Sequence, residues 1–154
     1  MKPVRVRPAA IEEASALTAL VHRAKAAWGY DETFMEAARQ ALSVEPGAIA
    51  EGWVWVAEGP RRRPIGVGVL KRTDDATLID LDALFVEPDA QRSGAGEALM
   101  ARLTAIARSL GATRLRIESD PNAARFYERQ GAVRVGETPG VTPGRVLPVF
   151  ELKL

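Results

Sequence analysis

The chain opens on an apolar–charged alternation, Val-Arg-Val-Arg at positions 4–7, whose period of two predicts a strand. Directly after it Ile11, Ala14, Leu17, Leu20, Val21 and Ala24 recur at helical spacing, so a strand feeds an amphipathic helix. Glu12 and Glu13 lie near its start, where the helix dipole favours negative charge, and Gly29 is placed to end it. A weaker helical pattern covers about Asp31 to Leu42, and Pro46 with Gly47 marks a break. WVWVAE and PIGVGVLKR then predict two strands joined by a turn near Gly59 and Pro60. TLIDLDALFVEP predicts a third strand that stops at Pro88, where the ladder would lose a donor, and the three make an antiparallel meander.

Beyond the segment PDAQRSGAGE, residues Leu99, Leu103, Ile106 and Leu110 keep helical spacing and Gly111 supplies a C-cap. TRLRIES is a short strand, so a strand, helix, strand crossover is expected, parallel and right-handed. Asp120 caps a short helix with Pro121 in its first turn, ending near Gly131. AVRV and VLPVFELKL are the last strands, separated by the loop GETPGVTPGR. This order predicts a single α/β domain over residues 1–154, with no internal repeat or linker.

Composition narrows the chemistry. The chain has no cysteine, which removes disulfides, a thiolate nucleophile and any sulfur-ligated zinc, and its one histidine, His22, rules out a multi-histidine metal site. We therefore expect no metal. Twenty-one Lys and Arg against twenty Asp and Glu give +1, and the basic residues are scattered apart from Arg61, Arg62 and Arg63, which argues against nucleic acid as the partner. No apolar run approaches the roughly 18 residues of a membrane-spanning helix. The opening MKPVRVRPAA does not resemble an export signal, so a cytoplasmic protein is expected.

The segment Gln91, Arg92, Ser93, Gly94, Ala95, Gly96 stands between a strand and the strongest helix. Small residues there expose backbone N–H groups at a helix N-terminus, a natural anion site, although a glycine loop that only turns the chain remains open. No Gly-Lys-Ser/Thr follows, and only two of the three glycines of a dinucleotide fingerprint are present.

Q-R-S-G-A-G resembles the Q/R-x-x-G-x-G/A pyrophosphate loop of the GCN5-related N-acetyltransferase (GNAT) superfamily. LDALFVEPDA resembles the central strand of that family and DPNAARFYERQGAVRVGE its later Asn…Tyr-Glu…Gly motif, so the likeness covers residues 77–137. The resemblance implies a three-layer fold, a mixed sheet splayed in the middle with helices on both faces. It implies an acetyl-CoA-dependent acyltransferase acting on an amine. Carried onto this chain, the backbones of Leu84, Phe85 and Val86 pair with the pantetheine arm, with the oxyanion donor near Phe85. The amides of Gln91 through Gly96 and of Glu97 take the pyrophosphate, with Arg92 as a possible phosphate contact, and Asn122 bonds the coenzyme near its thioester end. Tyr127 becomes the general acid for the leaving thiolate, because tyrosine at roughly 10 is near enough to a thiol of roughly 8.5.

Other roles stay open. Asp80 and Asp82 share one face of the central strand, and Asp82 is the candidate base, unless the amine arrives neutral with no base at all. Trp28 and Tyr30 either meet the acceptor or pack, Trp28 more readily as a residue closing the core; His22 and Lys25 read most simply as solvated. Trp53 and Trp55 share a strand face, and Glu118 ends the strand opposite Asp82. The loop from Gly136 to Gly144, with Arg145, is either a gate or a connection. The acceptor is a small-molecule or peptide amine, and the oligomeric state, homodimer included, is undetermined. Two alternatives remain: an acyl-CoA-binding module without transfer, and a toxin-type enzyme acting on aminoacyl-tRNA.

Overall fold

The computed structural model describes residues 3–154; Met1 and Lys2, which begin the segment read for an export signal, lie outside the described residues. The strands are β1 (Arg5–Pro8), β2 (Val54–Glu58), β3 (Pro64–Arg72), β4 (Leu78–Val86), β5 (Arg114–Glu118), β6 (Val133–Pro139) and β7 (Val146–Lys153). The helices are α1 (Ala14–Ala26), α2 (Glu32–Ala38), α3 (Pro46–Ala50), α4 (Ala95–Ser109) and α5 (Ala124–Arg129). The sheet is mixed, in the order β1-β2-β3-β4-β5-β7-β6, with β4 and β5 parallel. Chain contacts group the residues into two compact units, Met1–Val69 with Ala83–Arg102 and Leu70–Asp82 with Leu103–Leu154, so that β3, β4 and α4 are each divided between them.

In the first unit α1 presents Leu17, Leu20 and Val21 to Val54 and Val56 of β2 and to Val67 and Val69 of β3. Each such aliphatic side chain taken out of water contributes roughly 1.5–3 kcal/mol. Because strand side chains alternate, Trp55 and Gly66 face the other way. There the guanidinium of Arg102 lies 5.5 Å from the Trp55 ring, and Leu99 approaches Gly66. A Cβ on Gly66 would stand 3.0 Å from Leu99 Cδ1, so glycine is what lets α4 lie this close. Within this unit, helices thus cover both faces of the sheet, α1 on one and the first turns of α4 on the other.

In the second unit β5 pairs with β4 from Leu78↔Arg114 to Leu81↔Ile117 and with β7 from Arg114↔Lys153 to Glu118↔Val149. Leu115, Ile117 and Phe150 are buried. On the alternate face Arg116 donates to both carboxylate oxygens of Asp80, at 2.7 and 3.0 Å, and Arg114 bonds Asp75 at 3.0 Å. Pairing of β4 with β5 ends at Leu81↔Ile117, four residues into a nine-residue strand.

Three expectations change. The second helix is α2 alone, started by Asp31, whose carboxylate accepts from the Phe34 N–H at 2.8 Å, and it ends at Ala38. Pro46 and Gly47 do not break the chain but open α3, because proline in a first helical turn loses no needed donor. Residues 136–139 belong to β6, paired from Gly136↔Val149 to Pro139↔Val146, so the last connection narrows to 140–145. Proline is tolerated there because β6 is an edge strand.

Candidate active site

In the first unit the end of β4 is fixed by two bonds. The Glu87 N–H donates to the Ile65 carbonyl at 2.8 Å, toward β3, and the Gln91 side-chain amide donates to the Val86 carbonyl at 2.8 Å. Backbone groups of a strand alternate in direction, so Phe85, two residues before Glu87, also turns toward β3. Its carbonyl oxygen lies 3.4 Å from the place a Cβ on Gly66 would take, and its ring packs against the α1 core. The Phe85 N–H, near which the oxyanion donor was expected, is therefore directed at β3, and the N–H groups of Leu84 and Val86 point the other way. Of these two residues Val86 has its carbonyl already occupied by Gln91. Leu84, Phe85 and Val86 are all half-buried, short of full core positions.

The loop that follows is a network of short bonds. Ser93 Oγ donates to the Ala90 carbonyl at 2.6 Å and accepts from the Ala95 N–H at 3.2 Å. Gly94 adopts φ +86°, left-handed backbone that side chains strain to reach, and its carbonyl accepts from the Ala98 N–H at 3.0 Å, which starts α4. The amides of Gly96 and Glu97 then fall in the first turn, where a helix offers no acceptor of its own, so they and the dipole favour an anion. A Cβ at Gly94 would meet nothing within 4 Å, so it would project into open space at the loop. Ala95 and Gly96 are buried, while Gln91, Arg92 and Glu97 are exposed. These groups fit a pyrophosphate.

Two acids just ahead of the loop would oppose such a ligand, and both are neutralised. Glu87, 8% exposed, receives Arg23 of α1 at 2.9 and 2.8 Å, and Asp89 receives Arg63 at 2.9 and 3.2 Å. Sequence reasoning missed both pairs; partners 64 and 26 positions apart leave no local signal.

In the second unit Tyr127 is 5% exposed, set edge-on to Phe126 at 5.2 Å and tilted to Phe150 at 6.5 Å. Burial, and after it the charge of Asp120, pushes its hydroxyl pKa well above the usual tyrosine value, a departure from the ordinary value assumed from sequence. Asp120 Oδ1 accepts from the Asn122 backbone N–H at 2.8 Å and from its side-chain amide at 2.9 Å, while Oδ2 accepts from Arg145 at 3.2 Å. Asn122 is thus held by the helix cap. Asp82 is exposed where the β4–β5 pairing has stopped, its strand neighbour Asp80 is engaged by Arg116, and Glu118 is exposed at the end of β5.

The aromatic acceptor candidates lie in the first unit. Tyr30 stacks on Phe34 with centroids 4.1 Å apart, and Lys25 Nζ stands 5.6, 5.2 and 5.9 Å from the rings of Trp28, Tyr30 and Phe34. Lys25 is therefore buried beneath aromatic faces instead of solvated, and Trp28, at 39% exposure, does not close the core. His22 is half-buried, and its Nε2 has no hydrogen-bond partner among the described residues. Trp53 and Trp55 are both half-buried. Among the described residues no cluster of His, Asp or Glu has a metal-holding arrangement, and no helix is long and apolar enough to cross a membrane.

Comparison with known proteins agrees with the fold. No curated protein matches the chain. A GCN5-related N-acetyltransferase from Rhodopseudomonas palustris, described as an aminotransferase of class II, superposes with a TM-score of 0.80 at 24% identity, covering 100% of this chain and 98% of that one. The PaiA N-acetyltransferase from Thermoplasma acidophilum, in complex with coenzyme A, gives 0.77 at 20% identity, covering 99% and 100%. N-acetylglutamate synthase from Neisseria gonorrhoeae, with coenzyme A and N-acetyl-glutamate, gives 0.75 at 21% identity over 100% of this chain and 36% of that one. At these identities the likeness is one of fold. The acetyltransferase (GNAT) family pattern matches residues 15–132, and the chain belongs to that family.

Proposed function

We propose that this chain is one cytoplasmic catalytic domain that transfers the acetyl group of acetyl-CoA directly to a primary amine of a small molecule or peptide. The observation that carries the reading is the loop from Gln91 to Glu97, with left-handed Gly94 and open first-turn amides following a strand end. Acetyl-CoA supplies an activated thioester. In this reading the amides of Gly96 and Glu97 hold its pyrophosphate, with Arg92 adding charge, and Gln91 braces the loop against Val86. Leu84 or Val86 offers the N–H that donates to the thioester oxygen as negative charge builds on it. Tyr127 keeps its proton at Oη at any working pH and gives it to the sulfur as the C–S bond breaks. Asp82, exposed, takes the proton the amine releases, directly or through water. Trp28 and Tyr30, with the buried ammonium of Lys25 behind them, offer a face for the acceptor, and Glu118 a charge.

The test is a panel of amines with acetyl-CoA, read as free thiol. Acceptance of at least one amine, with intersecting double-reciprocal lines, is expected, because no cysteine exists to carry the acetyl group. Parallel lines together with an isolable acetyl-enzyme would overturn direct transfer. Coenzyme binding with no amine accepted by the wild-type protein, and no effect of changing Tyr127, would leave a binding module instead.

A further inference from the structure

The turn between β2 and β3, Gly59-Pro60-Arg61-Arg62-Arg63, carries the one basic cluster of the sequence, and the coenzyme loop does not use it. Its backbone is unusual. Arg61 and Arg62 both adopt left-handed backbone, with φ of 59° and 61°, where glycine or asparagine would sit with less strain. Strained non-glycine residues of this kind concentrate where a ligand is clamped. The turn is also held firmly: the Gly59 N–H donates to the Arg63 carbonyl at 2.7 Å, and a Cβ on Gly59 would come within 2.6 Å of Ile65, so only glycine fits there.

Its position is set by Arg63, which binds Asp89, two residues ahead of Gln91. That pair spends one guanidinium on one carboxylate. Arg61 and Arg62 remain exposed, with no ion pair among the described residues, beside the segment that leads into the phosphate loop. Coenzyme A carries, besides its pyrophosphate, a ribose 3′-phosphate, a separate dianion. Two guanidinium groups match such a group in charge and in donor geometry.

We propose that Arg61 and Arg62 form a second phosphate site, which takes the 3′-phosphate of coenzyme A and makes the protein select it over 3′-dephospho-coenzyme A. This rests on the coenzyme reading above and adds a specificity determinant to it.

Calorimetric titration of the whole chain with acetyl-CoA and with its 3′-dephospho form, for wild type and for Arg61→Asn/Arg62→Gly, tests it. The replacements suit left-handed backbone, so the variant should fold at least as well. Wild type should prefer acetyl-CoA by about fivefold, the size expected of two exposed charge pairs, and less at high salt. The variant should bind both forms alike, at the wild-type affinity for the dephospho form. A variant that keeps the preference, or a wild type that has none while binding both, overturns the site but leaves the coenzyme reading standing. Failure of wild type to bind either form overturns both. Loss of affinity for a short RNA in the variant, with the coenzyme preference intact, would assign the turn to nucleic acid and overturn the proposal.

Discussion

Arg23 grips both carboxylate oxygens of Glu87, through Nε at 2.9 Å and Nη2 at 2.8 Å, and so fastens α1 to the residue that follows β4. The Glu87 side chain is only 11% exposed, whereas that of Arg23 is 55% exposed, so the pair is one-sided: the acid needs the arginine more than the reverse. Replacing Arg23 by Ala strands a poorly hydrated carboxylate four residues before Gln91. We expect a loss of roughly 1–3 kcal/mol in urea unfolding, discounted from a fully buried pair because the arginine is wet. Coenzyme affinity should fall as well, by about threefold, through the uncompensated charge. Stability and affinity both unchanged would show that the pair is ornamental.

Gly94 separates backbone strain from ligand access. Gly94→Val forces a β-branched residue to φ +86°, and its side chain enters the open space before the α4 amides. Gly111, at φ +91° beyond the other end of α4, also has nothing within 4 Å of a new Cβ. Both valine variants should lose roughly 1–2 kcal/mol of stability from left-handed strain. Only Gly94→Val should weaken coenzyme binding, by at least tenfold, about 1.4 kcal/mol. Equal affinities for the two variants, by calorimetry, would remove the phosphate from this loop.

Glu13 gives the molecule an acid-sensitive joint. Its carboxylate accepts from Arg7 Nη1 and Nη2 at 2.8 and 2.9 Å and from the Ala10 N–H at 2.8 Å, and the Arg7 bond, above all, holds its pKa below the usual glutamate range. A carboxyl depressed in the folded state contributes stability that is fully present above its unfolded pKa and lost as pH falls through the folded one. Thermal melts of wild type and Glu13→Gln should differ most near pH 7 and converge below about pH 4. A difference independent of pH would mean that packing, not charge, is lost.

Most of the scaffold was readable because it is periodic. Leu99 and Leu103 sit on the apolar stripe of α4 and are buried, and Val54 and Val56 alternate with Trp55 as the strand pattern required. The loop glycines were readable because a left-handed turn at a helix start leaves a compositional trace. Errors arose where local chemistry and tertiary setting diverge. Pro46 signals a break in isolation, yet a helix start uses it as well, and Pro139 hides a strand that its edge position permits. Lys25 looked solvated because only the fold brings Tyr30 and Phe34 back over its ammonium. The direction of Phe85 depends on a single bond, Glu87 to Ile65, between strands whose register the sequence does not state.

Tyr127 provides the sharpest test of mechanism. Its burial and the nearby charge of Asp120 favour the neutral phenol, so the proton is present across the working range and no ionisation of Tyr127 should appear in the rate between pH 7 and about 10. The sign for stability follows: the unfolded chain loses this proton first, so folding stability declines as pH rises past about 10. A phenol held this firmly is a weaker acid than a free one, and transfer to a thiolate is favourable only as charge builds on the sulfur in the transition state. Tyr127→Phe keeps the ring against Phe126 and Phe150 and removes the donor alone. Coenzyme affinity should therefore be preserved, while the single-turnover rate at saturating amine falls by at least about 100-fold, the lower bound for general-acid assistance. Single turnover matters because slow product release would otherwise mask the loss. A Phe variant within about threefold of the parent would pass the proton to water, and Tyr127 would then be a packing residue whose removal shows in the melting temperature instead.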